Sequence, residues 1–282
     1  MNTAKTFFLL MVLTALFLLI GFGFGGEGGL IIAVFFALIM NFGSYWFSDR
    51  IALKMAHAHP VIEEEDPELF RIVSEQAQAA GLPMPKVYEI DSDSPNAFAT
   101  GRSPNHATVA VTTGIRRILN REELGGVLAH EMAHVGNRDT LIMAVVATIA
   151  GAISMLAFMA QMSAIFGGMG GSRERGGSII GLLVIAIVMP MAAGLVRAAI
   201  SRTREFQADA TGARTSGNGY ALASALEKLE MGVHNRPMKV AEGASHLFIV
   251  NPLSGKSMAS MFSTHPPTAE RVRRLRELPP SY

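Results

Sequence analysis

The sequence contains no cysteine. Disulfides, thiolate metal sites and cysteine nucleophiles are therefore excluded. Any metal must be held by nitrogen or oxygen, from a supply of eight histidines and 23 carboxylates. Charge is scarce as well. Only 17% of the residues are charged, against the roughly 25% of a soluble globular domain. The net charge is +1, so bulk electrostatics offers no hold on a nucleic acid. Internal repeats and low-complexity linkers are also missing.

Apolar sequence takes the place of charge, and it is clustered. Half of the 282 residues are hydrophobic. Four stretches read as membrane spans: residues 4–24, with Lys5 as the one charge, then 29–47, 140–165 and 178–195. Each offers about 18 or more uncharged residues, enough for a hydrocarbon core of about 30 Å. The first lacks a small-x-small cleavage site and a second span follows almost at once, which favours a membrane hairpin over a signal peptide. Residues 21–29, rich in glycine, read as its tight turn. Tyr45-Trp46 closes the second span with aromatics suited to a membrane interface. Lys and Arg gather in residues 49–139, and Arg197, Arg202 and Arg204 follow the fourth span. The positive-inside rule then places both termini and both polar regions on the cytoplasmic side, with Arg173 and Arg175 outnumbered on the other. The expected divisions are a hairpin at 1–48, a polar part at 49–139, a second hairpin at 140–196 and a polar part at 197–282. Pro190 and several glycines leave open whether the second hairpin spans the bilayer or packs against protein.

Within the polar parts, residues 67–80 have helical spacing at Leu69, Ile72, Val73 and Ala77 and stop at Gly81. Residues 86–90 and 107–112 are short alternating runs rich in β-branched side chains, which suggests a small antiparallel sheet with turns between. Residues 122–135, 198–211 and 220–231 read as helices, and Pro266-Pro267 open a last one.

The sharpest chemical signal is His130-Glu131-Met132-Ala133-His134. Positions four apart share one helix face, about 5–6 Å apart at Cβ. Two imidazoles there can point at one ion. Glu131 stands one step round the helix, within reach of a water on that ion. Chance predicts on the order of 0.01 such patterns in a chain of this composition. Two histidines and a glutamate buried on an apolar helix without a ligand would also be costly. A catalytic zinc usually takes three protein ligands and keeps a position open. Glu205, in Glu205-Phe-Gln-Ala-Asp209, is the best third candidate, with Asp139, Glu227, Glu230 and His265 as others. Asp209, four residues on, can support a ligating imidazole through its second nitrogen. The competing reading of Glu205 and Asp209 is a solvated patch paired with Arg202 and Arg204. A helical hairpin leaves the membrane on the side where it entered, which lets Glu205 return to the level of His134. His57 and His59, just before Pro60, read as solvated interfacial residues.

The chain resembles the HtpX family of bacterial heat-shock membrane metalloproteases and is more distantly similar to the CAAX prenyl endopeptidases. The resemblance runs over essentially the whole length. It rests on the N-terminal hairpin, Asn96-Ala-Phe-Ala-Thr-Gly, Leu128-Ala-His-Glu-Met-Ala-His-Val135, Glu205-Phe-Gln-Ala-Asp209 and Ser263-Thr-His-Pro-Pro-Thr-Ala-Glu-Arg271. It implies one Zn2+ held by His130, His134 and Glu205, with Glu131 as general base. It implies a mainly α membrane protein of about four transmembrane helices, plus a zincin-like catalytic domain with a small antiparallel β-sheet. It implies a multi-pass place in the bacterial inner membrane, the catalytic part facing the cytoplasm. It further implies polypeptide substrates, above all misfolded or damaged membrane proteins. Residues 96–100 then serve as a substrate-binding edge, and His265 or Arg271 as an oxyanion donor. Plainer readings stand beside these: a turn for Asn96, and a basic helix face for Arg271. Rival functions are a membrane scaffold with a structural zinc, zinc-dependent hydrolysis of a non-peptide bond and a membrane metal transporter. The last expects ligands within the spans, where this chain has almost no ionisable residue.

Overall fold

The computed structural model describes residues 2–143, 145, 202–238, 240, 245, 247–252 and 266–279. The expected third and fourth spans lie almost wholly outside these residues, and so does His265.

Helix α1 takes in Asn2–Trp46, broken by non-helical backbone at Gly26. Its φ of +53° is open to glycine at little cost. The two arms fold back on each other there. Asn41 Nδ2 donates to Thr14 Oγ1 at 2.7 Å, and the Phe17 and Phe36 rings meet edge to face at 5.1 Å. Among the described residues, α1 is the one helix long and apolar enough to cross a membrane, with its most apolar window at Gly26–Gly43. Phe7, Phe8, Leu19, Ile32, Phe35 and Ile39 all point outward from it.

The polar part begins with α2 (Ser48–Met55) and β1 (His59–Pro60), followed by α3 (Pro67–Ala79), which Asp66 caps by accepting from Leu69 N. Strands β2 (Lys86–Ile90), β3 (Ala97–Thr100) and β4 (Thr108–Thr112) complete a four-stranded sheet in the order β1-β2-β4-β3. The sheet is mixed, which corrects the expected antiparallel one. β4 pairs with β3 antiparallel but with β2 parallel, Lys86 opposite Thr108. The reason is the path of the chain. After β2 it passes to the far side of the β4 position, forms β3, and returns through Gly101 into β4. Alternation of side chains marks a strand but carries no direction.

Helix α4 (Thr113–Ile118) leads into α5 (Arg121–Gly136), which opens on a reciprocal capping box between Asn120 and Glu123. Every residue from Glu123 to Val135 is buried. The apolar positions expected to face inward, Leu124, Val127, Leu128 and Met132, are only one side of this helix. The other sides are covered by α6 (Arg202–Ser216) and α7 (Gly219–Asn235), while α8 (Thr268–Arg276) closes over both. A helix surrounded in this way has no solvent face, and Gly125, Gly126, Ala129 and Ala133 admit close neighbours. The core joins Ile72 and Val73 of α3, Val109 and Val111 of β4, Leu128 and Met132 of α5, and Leu222 and Leu226 of α7.

Candidate metal centre

Helix α5 brings His130 and His134 onto one face and carries Glu131 beside them. Helix α6 approaches that face because residue 212 is glycine. A Cβ on Gly212 would lie 2.8 Å from His130 N and 2.9 Å from its Cα. Glu205, Asp209 and Gly212 follow helical spacing, so the same contact delivers both carboxylates to the imidazoles.

His130 Nε2 and His134 Nε2 are 3.2 Å apart. Glu205 Oε2 lies 3.8 Å from the first and Oε1 lies 3.5 Å from the second. Donors about 2.0–2.1 Å from a tetrahedral zinc stand about 3.3–3.4 Å apart. The imidazole separation is close to that distance, the separation of each imidazole from one Glu205 oxygen is within about 0.5 Å of it, and two nitrogens with one carboxylate suit that ion. Among the described residues, these three form the buried group of metal-ligand type. A second group, His59, Glu89 and Asp91, sits at the surface, where Glu89 is paired with Arg116.

Behind each imidazole stands a carboxylate. His134 Nδ1 is 3.1 Å from Asp139 Oδ2, and Arg204 reaches the other Asp139 oxygen at 3.3 Å. His130 Nδ1 is 3.0 Å from Asp209 Oδ1, close but poorly aligned for a hydrogen bond. Arg271 grips Asp209 with two donors, Nε to Oδ2 at 2.8 Å and Nη2 to Oδ1 at 2.7 Å. Its Nη1 donates to Ile249 O at 3.0 Å, and Nη2 lies 3.5 Å from His130 Nε2. Arg271, read from sequence as an oxyanion donor or a basic surface residue, is 1% exposed. Its described partners make it a brace for Asp209 and for the 249–250 segment.

Glu131 touches the sheet. Ala99 N donates to Glu131 Oε2 at 2.8 Å. Since β3 ends the strand order, this bond is made by its outer edge. The preceding rung of that edge is taken: Ile249 N donates to Ala97 O at 3.0 Å. Asn96 fixes this arrangement. Its Nδ2 donates to Val250 O at 2.7 Å, and its Oδ1 accepts from Val250 N at 3.3 Å and from Ala97 N at 3.2 Å. Asn96 is wholly buried, a clip for the edge rather than part of its open face.

Burial and charge set the proton affinities. Burial pulls the His130 imidazole down to about 4, against the pull of Asp209. Burial acts downward on His134 too, but Glu205, Asp139 and Glu131 around it outweigh that and raise it to about 9. Burial lifts Glu131 to about 7, helped by Glu205 and opposed by His134 and the Ala99 N–H. Asp209 is buried as well, yet Arg271 holds it far below the usual carboxylate range. Glu131, Asp139, Glu205 and Asp209 are all buried, with Arg271 and Arg204 as the guanidiniums among them. Among the described residues, four carboxylates meet two guanidiniums there, a balance that favours a divalent cation.

Of the other third-ligand candidates, Glu227 pairs with Arg276 at the surface and Glu230 is exposed. Asp139 is at the site but behind His134, not beside its Nε2. Gly212 bears no sequence signal of its place, and the sequence offers Arg204 only as a partner in the competing solvated patch. Neither residue carries a motif, and only the helix packing reveals them.

Residues 63–279 match peptidase family M48. The chain belongs to that family. It is a metalloprotease, and its close relatives extend the likeness beyond the matched region. A Protease HtpX homolog from Syntrophobacter fumaroxidans is 54% identical over 97% of this chain and 98% of its own. One from Persephonella marina is 55% identical, over 99% and 98%. One from Thermococcus kodakarensis is 54% identical, over 97% and 95%. The crystal structure of S. mikatae Ste24p shares the fold with a TM-score of 0.52 at 22% identity. It covers 93% of this chain, which spans 62% of that longer protein.

Proposed function

We propose that the protein is a zinc-dependent endopeptidase of the inner (cytoplasmic) membrane, acting on misfolded or damaged membrane proteins. His130, His134 and Glu205 are its metal ligands and Glu131 its general base. The observation that carries this reading is the buried cluster of His130 Nε2, His134 Nε2 and the Glu205 carboxylate, the nitrogens 3.2 Å apart and each 3.8 or 3.5 Å from one carboxylate oxygen, with Glu131 beside it. Among the described residues three donors gather there, the number that a catalytic zinc takes from protein.

When bound there, zinc supplies Lewis acidity, polarising a carbonyl oxygen and making a water molecule far more acidic. The chain's own residues do the rest. Asp209 and Asp139 hold the imidazoles from behind, in the manner that orients metal-binding histidines. The Glu131 carboxylate takes a proton from the attacking water and passes it to the leaving amine. The Ala99 N–H keeps Oε2 in place. An extended substrate meets the edge of β3 at the Ala99 carbonyl, because the Ala99 N–H holds Glu131 and Ile249 N already holds the Ala97 carbonyl. Pairing through main-chain groups gives little sequence preference, which suits a protease meeting many unfolded chains.

The membrane assignment is supported by the outward-facing apolar side chains of α1 and by the apolar runs at 140–165 and 178–195. With the excess of Lys and Arg in the polar parts, they favour a multi-pass protein of about four spans whose catalytic part faces the cytoplasm.

The test is digestion of casein or a model membrane protein by wild type, Glu131→Gln and chelated samples. Glu131→Gln should bind zinc, remain folded and lose at least about 100-fold in rate, the scale of general acid–base catalysis. Zinc should restore the chelated wild type. Full cleavage by the Glu131→Gln protein would remove Glu131 from the mechanism.

A further inference from the structure

A cavity of about 500 Å³, lined by none of the metal ligands, lies where α1 meets the polar part. One wall is aromatic: Phe42, Trp46 and Phe47, all substantially exposed. Arg50, Lys86 and Arg102 make the lining cationic as well, and His106 adds imidazole nitrogens. Asp49 is the one carboxylate among the lining residues. Trp46 begins three residues beyond the most apolar window of α1, the depth at which aromatic belts meet lipid headgroups. The Arg102 guanidinium stacks 4.8 Å from the Trp46 ring centre, and Arg50 lies 5.6 Å from that of Phe47.

We propose that this cavity binds the headgroup of an anionic phospholipid. Its phosphodiester lies among Arg50, Lys86 and Arg102, and its acyl chains run along Phe42 and Trp46. Charge complementarity carries the choice of occupant. Three permanent cations against one carboxylate select an anionic over a zwitterionic lipid, and the apolar wall selects a lipid over free phosphate. Cations near an anionic membrane surface are each worth about 1 kcal/mol, or roughly a fivefold change in binding. Arg102 follows β3 with only Gly101 between them, so a lipid held here lies next to the strand whose edge Glu131 touches.

The experiment uses the full-length protein in detergent or nanodiscs and reads lipid binding by native mass spectrometry and by titration of phosphatidylglycerol. The expected order of affinity is phosphatidylglycerol above phosphatidylcholine, with inorganic phosphate not binding. Arg102→Gln and Lys86→Gln should each weaken phosphatidylglycerol about fivefold. Asp49→Asn should strengthen it, a gain that misfolding cannot imitate. Arg273→Gln, on the exposed face of α8, is the control and should change nothing. Equal binding of the two lipids, tight binding of phosphate alone, or insensitivity to Arg102, Lys86 and Asp49 would each overturn the assignment. None of these readouts depends on proteolysis, so the outcome is independent of the zinc mechanism.

Discussion

Arg271 is a permanent cation with 1% of its surface exposed. Such a group is tolerated only where its charge is paired and hydrogen-bonded, and here two donors go to Asp209 and one to Ile249 O. Removing one member of a buried pair costs more than the pair contributes, because the other charge is left without compensation. Arg271→Leu should therefore destabilise the protein by about 3–5 kcal/mol, seen as a lower thermal midpoint in detergent. Adding Asp209→Asn to that variant should recover part of the loss; no recovery would mean that the damage is packing alone. The pH dependence has a definite sign. Asp209 is held below its ordinary range, so its stabilisation is complete above about pH 4, the unfolded value. It is lost as pH falls from there toward the folded value. The difference between wild type and Asp209→Asn should stay flat from neutrality down to about pH 5 and shrink only below about pH 4.

At the scale of the elements, the site depends on how closely α5 and α6 approach. Gly212 sets that distance, since any Cβ there would sit 2.8 Å from His130 N. Gly212→Ala cannot be absorbed by a flexible side chain, because the obstacle is backbone. The helices must separate, and overpacking of this kind costs about 1–3 kcal/mol. Glu205 and Asp209 ride on the same helix, so the larger effect should be on metal content. Purified Gly212→Ala should retain much less zinc than wild type, while an alanine at Gly217, outside this contact, should retain it fully. Equal zinc in Gly212→Ala would show that α6 can shift without moving Glu205. The motif positions on α5 and α6 were legible in sequence because helical periodicity alone sets which residues share a face. The approach of the two helices was not, since Gly212 looks like any helix glycine until its neighbour is known. The same limit applied to the sheet. Strands β2 and β4 were readable from alternation, but their parallel pairing follows from where the intervening chain travels. The surface reading of Arg271 fails for a related reason: its neighbours Arg273, Arg274 and Arg276 are exposed and ion-paired with Glu270, Glu277 and Glu227. Composition suggests one basic face, yet only residue 271 turns inward.

Across the whole molecule, the site joins parts of the chain that are distant in sequence. His130 and His134 precede residues 144–201; Glu205 and Asp209 follow them, and Arg271 comes from the last helix. Four buried carboxylates and two guanidiniums meet there, and the excess negative charge opposes the assembly of α5 with α6. Without a cation, relief must come from protons, and His134, raised to about 9, and Glu131, raised to about 7, are placed to hold them. A divalent cation does the same while drawing three ligands onto one point. Metal binding is therefore coupled to folding. With free zinc at about 1,000 times its dissociation constant, the coupled stabilisation is about 4 kcal/mol. Chelation should lower the thermal midpoint of wild type, and stepwise re-addition of zinc should raise it again. Glu205→Gln removes a ligand and, in the chelated protein, the carboxylate that does most to raise His134. Zinc should therefore barely raise its midpoint, whatever the stability of its chelated form. A zinc-induced rise as large as that of wild type would show that Glu205 is not a ligand, and the coupling argument would fail.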